Sequence, residues 1–164
     1  MTEIIVVAHN IRSIHNIGSI FRTCEGFGVK QLVLSGYSPY PTTSEDTRLP
    51  HISDKVSKQI AKTALGAESM VPFRHCEDIF DTIKQYKSQG YSVLALEQDK
   101  HSIELPKFRP PAKVILVLGE EVDGVEPTLL KLCDDIIEIP MFGQKESFNV
   151  SVAAGIALYQ LRCR

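Results

Sequence analysis

What this 164-residue chain lacks narrows its function before any motif is read. Its four cysteines, Cys24, Cys76, Cys133 and Cys163, stand no closer together than 30 positions. That spacing fits neither a disulfide framework nor the paired cysteines of a metal site, so reduced, buried thiols and no bound metal are expected. No apolar run approaches the roughly 20 residues of a membrane helix, and Met1-Thr2-Glu3 opens without the basic region and apolar core of a signal peptide. A cytoplasmic protein with no membrane span is the expectation. Net charge is only −2, so no overall field draws the chain to nucleic acid. With 43% hydrophobic and 23% charged residues the composition is too ordinary for disorder, and the length suits one domain over residues 1–164.

Familiar catalytic signatures are missing too. Gly119 and Gly124 have the spacing of a phosphate-binding P-loop, but Val125 stands where a lysine must reach the phosphates. No G-x-G-x-x-G follows the first apolar run, which argues against a dinucleotide site. His75-Cys76-Glu77 matches half of a zinc deaminase signature, and the P-C-x-x-C half does not follow. His9 and His15 sit in no H-E-x-x-H frame, and G-x-S-x-G does not occur.

What is present is an alternation. Short apolar runs at residues 4–7, 31–34, 70–73, 92–96, 114–118 and 136–139 exchange with helical patterns at 17–26, 54–65, 78–89, 127–133 and 149–162. Parallel neighbours need crossover helices, so the alternation predicts an α/β domain with helices flanking a mostly parallel sheet of about six strands. Residues 114–118 are apolar on both faces, as a central strand requires. Ile79, Phe80, Ile83 and Tyr86 recur at helical spacing before Gly90, which suits a left-handed stop. Residues 35–44 form a long loop rich in turn formers, whose Tyr37 and Tyr40 either stack on bases or pack the loop onto the domain.

Charge is unevenly placed. Residues 1–75 carry 8 Lys and Arg against 6 Asp and Glu, while residues 76–164 carry 10 against 14. Arg48, Lys55, Lys58, Lys62 and Arg74, against Asp54 and Glu68, make a modest basic face. Such a face is an ordinary solvated helix side unless other features accompany it.

Three polar clusters each follow a strand, the usual ligand position in an open α/β sheet. The first holds Asn16, Gly18 and Arg22; the second Leu118, Gly119, Glu121 and Gly124; the third runs from Ile139 through Met141, Ser147, Phe148 and Asn149 to Ala153. Singly, each has a plain structural use. Asn16, Ser147 or Asn149 can cap a helix, Arg22 can pair with Glu25 for about 0.2–0.5 kcal/mol, and Glu121 and Asp123 can be turn residues before a helix opening at Pro127.

Together, in order and spacing from about residue 10 to 160, the clusters resemble the three motifs of the SpoU (TrmH-like) branch of the SPOUT superfamily. These are N-x-G-x-x-x-R, L-G-x-E-x-x-G and I-P-M-x-G-x-x-x-S-x-N-V-S-x-A. Phe148 replaces a common leucine and Cys24 a frequent alanine, both apolar for apolar. The resemblance implies an S-adenosylmethionine-dependent RNA ribose 2'-O-methyltransferase with a C-terminal trefoil knot; the family often carries an added RNA-binding domain, and at 164 residues none is expected here. It implies cofactor contacts at Leu96, Glu97, Leu118, Gly119, Gly124, Ile139, Met141, Ser147 and Phe148, and catalytic roles for Asn16, Arg22, Glu121, Ser147 and Asn149. Glu121 is expected to pair with Arg22. A guanidinium, with its pKa above about 12, is a poor general base, so Arg22 is better read as a clamp on phosphate and developing alkoxide. A homodimer built on the last and first helices is implied, with tRNA favoured over rRNA as substrate. An idle RNA-binding scaffold is the rival reading.

Overall fold

A computed structural model describes residues 1–163. Strands β1 (Glu3–His9), β2 (Gln31–Ser35), β3 (Phe73–Cys76), β4 (Ser92–Leu96), β5 (Ile103–Glu104), β6 (Lys113–Leu118) and β7 (Asp135–Glu138) form one seven-stranded sheet in the order β3-β2-β1-β6-β4-β7-β5. Every pairing of these strands is parallel. The run at 114–118 takes the middle of that order, as its two apolar faces require.

Alternate side chains of the strands feed two cores. Ile4, Val6, Leu32, Leu34, Leu94 and Leu116 pack on one side with α1 (Ile14–Gly26), α2 (Pro50–Ala64) and α5 (Val150–Arg162). Ile5, Val7, Val33, Val93, Ile115 and Val117 pack on the other with α3 (Ile79–Ser88) and α4 (Pro127–Leu130). Burying each such side chain contributes about 1.5–3 kcal/mol, which fixes the register of the central strands.

Several boundaries differ from expectation for visible reasons. The seventh strand, β5, is two residues long and too short to carry a period. The third strand begins at Phe73 rather than Met70, because residues 67–69 wind into a 3-10 turn closed by the Val71 N–H on the Ala67 carbonyl. Only the carbonyl of Pro72 joins the ladder, accepting from Leu32 N–H, so its missing donor costs nothing. The helix at 127 stops at Leu130, where Leu132 and Cys133 bond three residues back and tighten the chain out of the α-helix. Gly90, at φ +84°, follows α3 in the left-handed region. Of the cysteines, Cys24 is buried, Cys76 and Cys133 are half-buried with Cys133 pushed up to about 11 by burial, and Cys163 is exposed, against the expectation that all are buried. Among the described residues no helix is long and apolar enough to cross a membrane.

The fold brings four loops to one edge. The chain leaves β1 toward β2 and leaves β6 toward β7, so the connections part on opposite sides of the β1–β6 pair. A crevice opens at the carboxyl ends of such strands, where residues 10–13, 97–102, 119–126 and 139–149 emerge.

Candidate functional site

Ser13, not Asn16, caps α1: its hydroxyl accepts from the Asn16 N–H at 3.2 Å. The Asn16 carboxamide is thereby free to face outward from the first turn. Its Nδ2 donates to Glu121 Oε1 at 3.0 Å, and its Oδ1 accepts from Asn149 Nδ2 at 3.1 Å. Asn149 does cap α5, with Oδ1 accepting from the N–H of Ser151 at 2.9 Å, and it keeps its amide for Asn16. One residue from each cluster thus joins a continuous chain, Asn149 to Asn16 to Glu121.

The Glu121 carboxylate also accepts from the backbone N–H of Arg12 at 3.3 Å and of Ser13 at 3.4 Å. Burial pushes its pKa up, but these donors outweigh it and hold the group below the ordinary carboxylate value. The expected Glu121–Arg22 pair is not made. Arg22 stands six residues beyond Asn16 on α1, about 9 Å along the axis. It is exposed, and its guanidinium has no hydrogen bond or ion pair among the described residues, Glu25 included. Asn16 and two backbone N–H groups fill the place assigned to it.

Beside this chain lies a cleft of about 480 Å³, within the range of about 300–1,000 Å³ usual for small-molecule sites. All nine residues expected to contact a cofactor line it, as do Glu121 and Asn149; Asn16 and Arg22 do not. Its polar lining is one-sided: Glu97, Glu120, Glu121, Asp123, Glu138 and Glu146 are present, with no lysine or arginine. Leu96, Leu118, Ile139, Met141, Phe148 and Val150 supply apolar wall.

The glycines have specific reasons. Gly124 sits at φ +69°, and a Cβ there would lie 2.3 Å from Glu97 Oε1. A Cβ on Gly119 would lie 2.4 Å from the backbone of Gly124. Residues 119–124 therefore close into a narrow hairpin, with Glu120 and Gly124 exchanging N–H and carbonyl bonds at 3.0 Å. Glu97 pins that hairpin, accepting the Val125 N–H at 3.1 Å, and burial raises its pKa. Gly18 serves packing instead: a Cβ would meet Thr63 Oγ1 at 2.0 Å and the Ile60 carbonyl at 2.4 Å, so it lets α1 and α2 touch.

The β1–α1 segment is tied to the 119–126 loop by Glu121 as above, by Arg12 with Glu120 at 3.0 Å, and by the buried His9 ring facing Glu126 at 3.9 Å. Burial holds the His9 pKa down, against the pull of Glu126. Sequence reading missed Arg12, Ser13 and Gln98, whose Nε2 bonds the Glu146 carbonyl. Arg12 and Ser13 lie just ahead of the first cluster, which was the available signal. Of the loop tyrosines, Tyr40 packs between His75, 4.0 Å away, and the Arg48 guanidinium, while Tyr37 is 54% exposed. Among the described residues no group of three or more His, Cys, Asp and Glu could hold a metal ion.

A parallel sheet with an acidic, ligand-sized cleft at its switch point, flanked by side chains joined from three loops, is the arrangement of an α/β domain that holds a small ligand. The chain belongs to the SpoU rRNA Methylase family, whose pattern covers residues 3–159. It is 30% identical over 158 residues to a tRNA (guanosine(18)-2'-O)-methyltransferase of Aquifex aeolicus, covering 96% of this chain and 68% of that one. The solved TrmH/SpoU tRNA modifying enzyme of A. aeolicus superposes with a TM-score of 0.81 at 26% identity, over 99% of this chain and 75% of the other. An AdoMet-bound rRNA methyltransferase from Sinorhizobium meliloti gives the same TM-score at 23% identity, over 98% of this chain and 56% of that one.

Proposed function

We propose that this chain transfers a methyl group from S-adenosylmethionine to a ribose 2'-hydroxyl of RNA, with tRNA favoured over rRNA. The observation that carries the proposal is the direct bonding of Asn16, Glu121 and Asn149, one from each family motif, at the rim of the cleft. The Aquifex relative supports tRNA, and the AdoMet-bound Sinorhizobium protein supports the cofactor.

The cleft fits that cofactor. A sulfonium and an ammonium give it two positive charges against one carboxylate, and six acidic side chains with no cation suit that balance. Leu96, Leu118, Ile139, Met141 and Phe148 would hold its apolar portions, with Gly119 and Gly124 keeping the hairpin clear of side chains. When bound, it supplies an electrophilic methyl group. Transfer of that methyl to the ribose oxygen would leave a neutral thioether, and the hydroxyl proton would pass to a phosphate oxygen or water. Positioning is most of the task. Arg22, exposed and unpaired, clamps the target phosphate and stabilises the alkoxide as it develops. Asn16, held by Glu121, and Asn149, held by Asn16, orient the hydroxyl, and Ser147 lies on the cleft wall next to Asn149.

The same reading makes the protein a cytoplasmic homodimer. Val152 and Tyr159 leave 49% and 60% of their surface exposed on α5, an apolar face that a second copy would cover together with α1. It also includes the trefoil threading, which the packing of residues 139–149 beside both the 97–98 and 118–124 loops supports.

The test is incubation with methyl-labelled S-adenosylmethionine and total RNA, followed by separation of tRNA from rRNA and nucleoside mass spectrometry. A labelled 2'-O-methylnucleoside in the tRNA fraction is expected. Label on a base, or none in either fraction, contradicts the proposal.

A further inference from the structure

The acidic cleft poses a problem for an RNA enzyme. Six carboxylates repel a phosphate backbone, so the polyanion must be held by cations placed elsewhere within reach of Asn16 and Arg22. The helix α2 carries such a set. His51, Lys55, Lys58 and Lys62 recur at intervals of four, three and four residues, which puts them in one row along the helix. All four are exposed, and the three lysines have no hydrogen bond or ion pair among the described residues. By contrast Lys30, Lys84, Lys87 and Lys107 are each in a salt bridge. Asp54, at the side of the row, is the single carboxylate on the helix, and it takes none of the lysines as a partner.

The row faces away from the core, because Ser53, Ile60 and Ala64 are the buried residues of α2. It is also firmly mounted. Arg48 lies over the Tyr40 ring at 3.6 Å, bonds the Tyr40 carbonyl at 3.0 Å and pairs with Asp46, just ahead of the start of α2. The Ser57 hydroxyl then takes the Thr42 N–H at 2.8 Å. At its other end α2 touches the catalytic helix: Thr63, next to Lys62, donates to the carbonyl of His15, the neighbour of Asn16, at 2.9 Å. The row therefore runs up to the turn of α1 that carries the proposed site.

We propose that the His51–Lys55–Lys58–Lys62 row is the docking track for the sugar–phosphate backbone of the RNA substrate. A row of unpaired ammonium groups about one helical turn apart, with Ile52 beside its His51 end as the one large apolar side chain exposed within α2, suits a regular polyanion better than a protein partner, whose interface needs an apolar centre. The proposal rests on the RNA methyltransferase reading and locates where that substrate is gripped.

The experiment measures fluorescein-labelled bulk tRNA binding by anisotropy across a salt series, for the wild type and a Lys55→Gln/Lys58→Gln/Lys62→Gln variant. Calorimetry with S-adenosylmethionine checks that the variant keeps its fold and cleft. The variant is expected to bind tRNA at least tenfold more weakly, with a log–log salt slope shallower by about 2 to 3, since each lost phosphate contact removes about 0.7–0.9. At saturating tRNA its kcat stays near wild type while KM rises. Equal affinity and slope in the two proteins overturns the track, as does a loss confined to phosphatidylglycerol vesicles. Methyl transfer read in parallel separates the two ideas. Transfer without dependence on the row leaves the enzyme and removes the track, whereas row-dependent binding with no transfer to any RNA keeps the track and removes the enzyme.

Discussion

At the amino ends of the strands, Glu3, Lys30 and Tyr91 bond one another, Lys113 lies over the Tyr91 ring, and Arg162 from the end of α5 closes onto the carbonyls of Thr2 and Gly28. At the carboxyl ends, six carboxylates line one cleft, and among the described residues only Glu120 of the six is in a salt bridge. The first edge compensates its charges internally and stitches together segments distant in sequence. The second leaves most of its charge for something that arrives from solution. That contrast separates what holds the sheet together from what it is for, since carboxylates gathered without cations repel one another and a cation bound among them offsets that repulsion.

Substitutions at the two edges are expected to behave differently, and the largest effect is at Arg22. Because the guanidinium has no partner to lose, Arg22→Ala should leave the melting temperature and cofactor affinity unchanged while cutting methyl transfer by roughly 100- to 1,000-fold. An Arg22→Lys enzyme that kept near-normal rate, with activity following an ordinary lysine titration, would contradict the clamp. Next comes Gly124→Ala, which forces a side chain into the left-handed region and against Glu97. A loss of about 1–3 kcal/mol by chemical denaturation is expected, with cofactor affinity falling alongside. Unchanged affinity would mean that the hairpin is not part of the site.

Smaller effects come from pH. Glu121 is held below the ordinary carboxylate value, so the stability it contributes is present above its unfolded pKa and lost as pH falls through the lower folded value. Burial raises Glu97, with the reverse sign: its contribution is present below the unfolded pKa and lost as pH rises through the folded one. Melting curves taken between about pH 3 and 6 should therefore show Glu97→Gln gaining on wild type as pH rises and Glu121→Gln losing ground, each around the carboxylate range near 4.3. Parallel curves would refute the assignment. The smallest change is at the amino edge. Tyr91→Phe removes the hydroxyl shared by Glu3 and Lys30, and should cost about 1 kcal/mol with no change in methyl transfer.

The same contrast explains how much was legible in the sequence. The central strand at 114–118 announced itself, because a buried run leaves a local pattern, whereas the cleft lining was expected only through the resemblance of the three clusters to the family motifs. Residues 103–104 gave no such pattern, since a two-residue strand exists only by pairing with β7. The three clusters were readable as motifs, but which side chain met which was not. Asn16 read equally well as a cap until Ser13 took that place, and Glu121 was matched to a cation although Asn16 and the N–H groups of Arg12 and Ser13 lay closer. Partner choice depends on loops brought together over more than 100 residues of chain, which periodicity does not encode.

The most direct test of the central claim is calorimetric titration of the protein with S-adenosylmethionine, alone and after Gly124→Ala. One site per chain in the wild type, with clear weakening in the variant, is the result expected if the uncompensated carboxylates and the narrow hairpin form the cofactor cleft. A wild-type protein that takes up no S-adenosylmethionine, or a variant that binds it as tightly, would contradict that account.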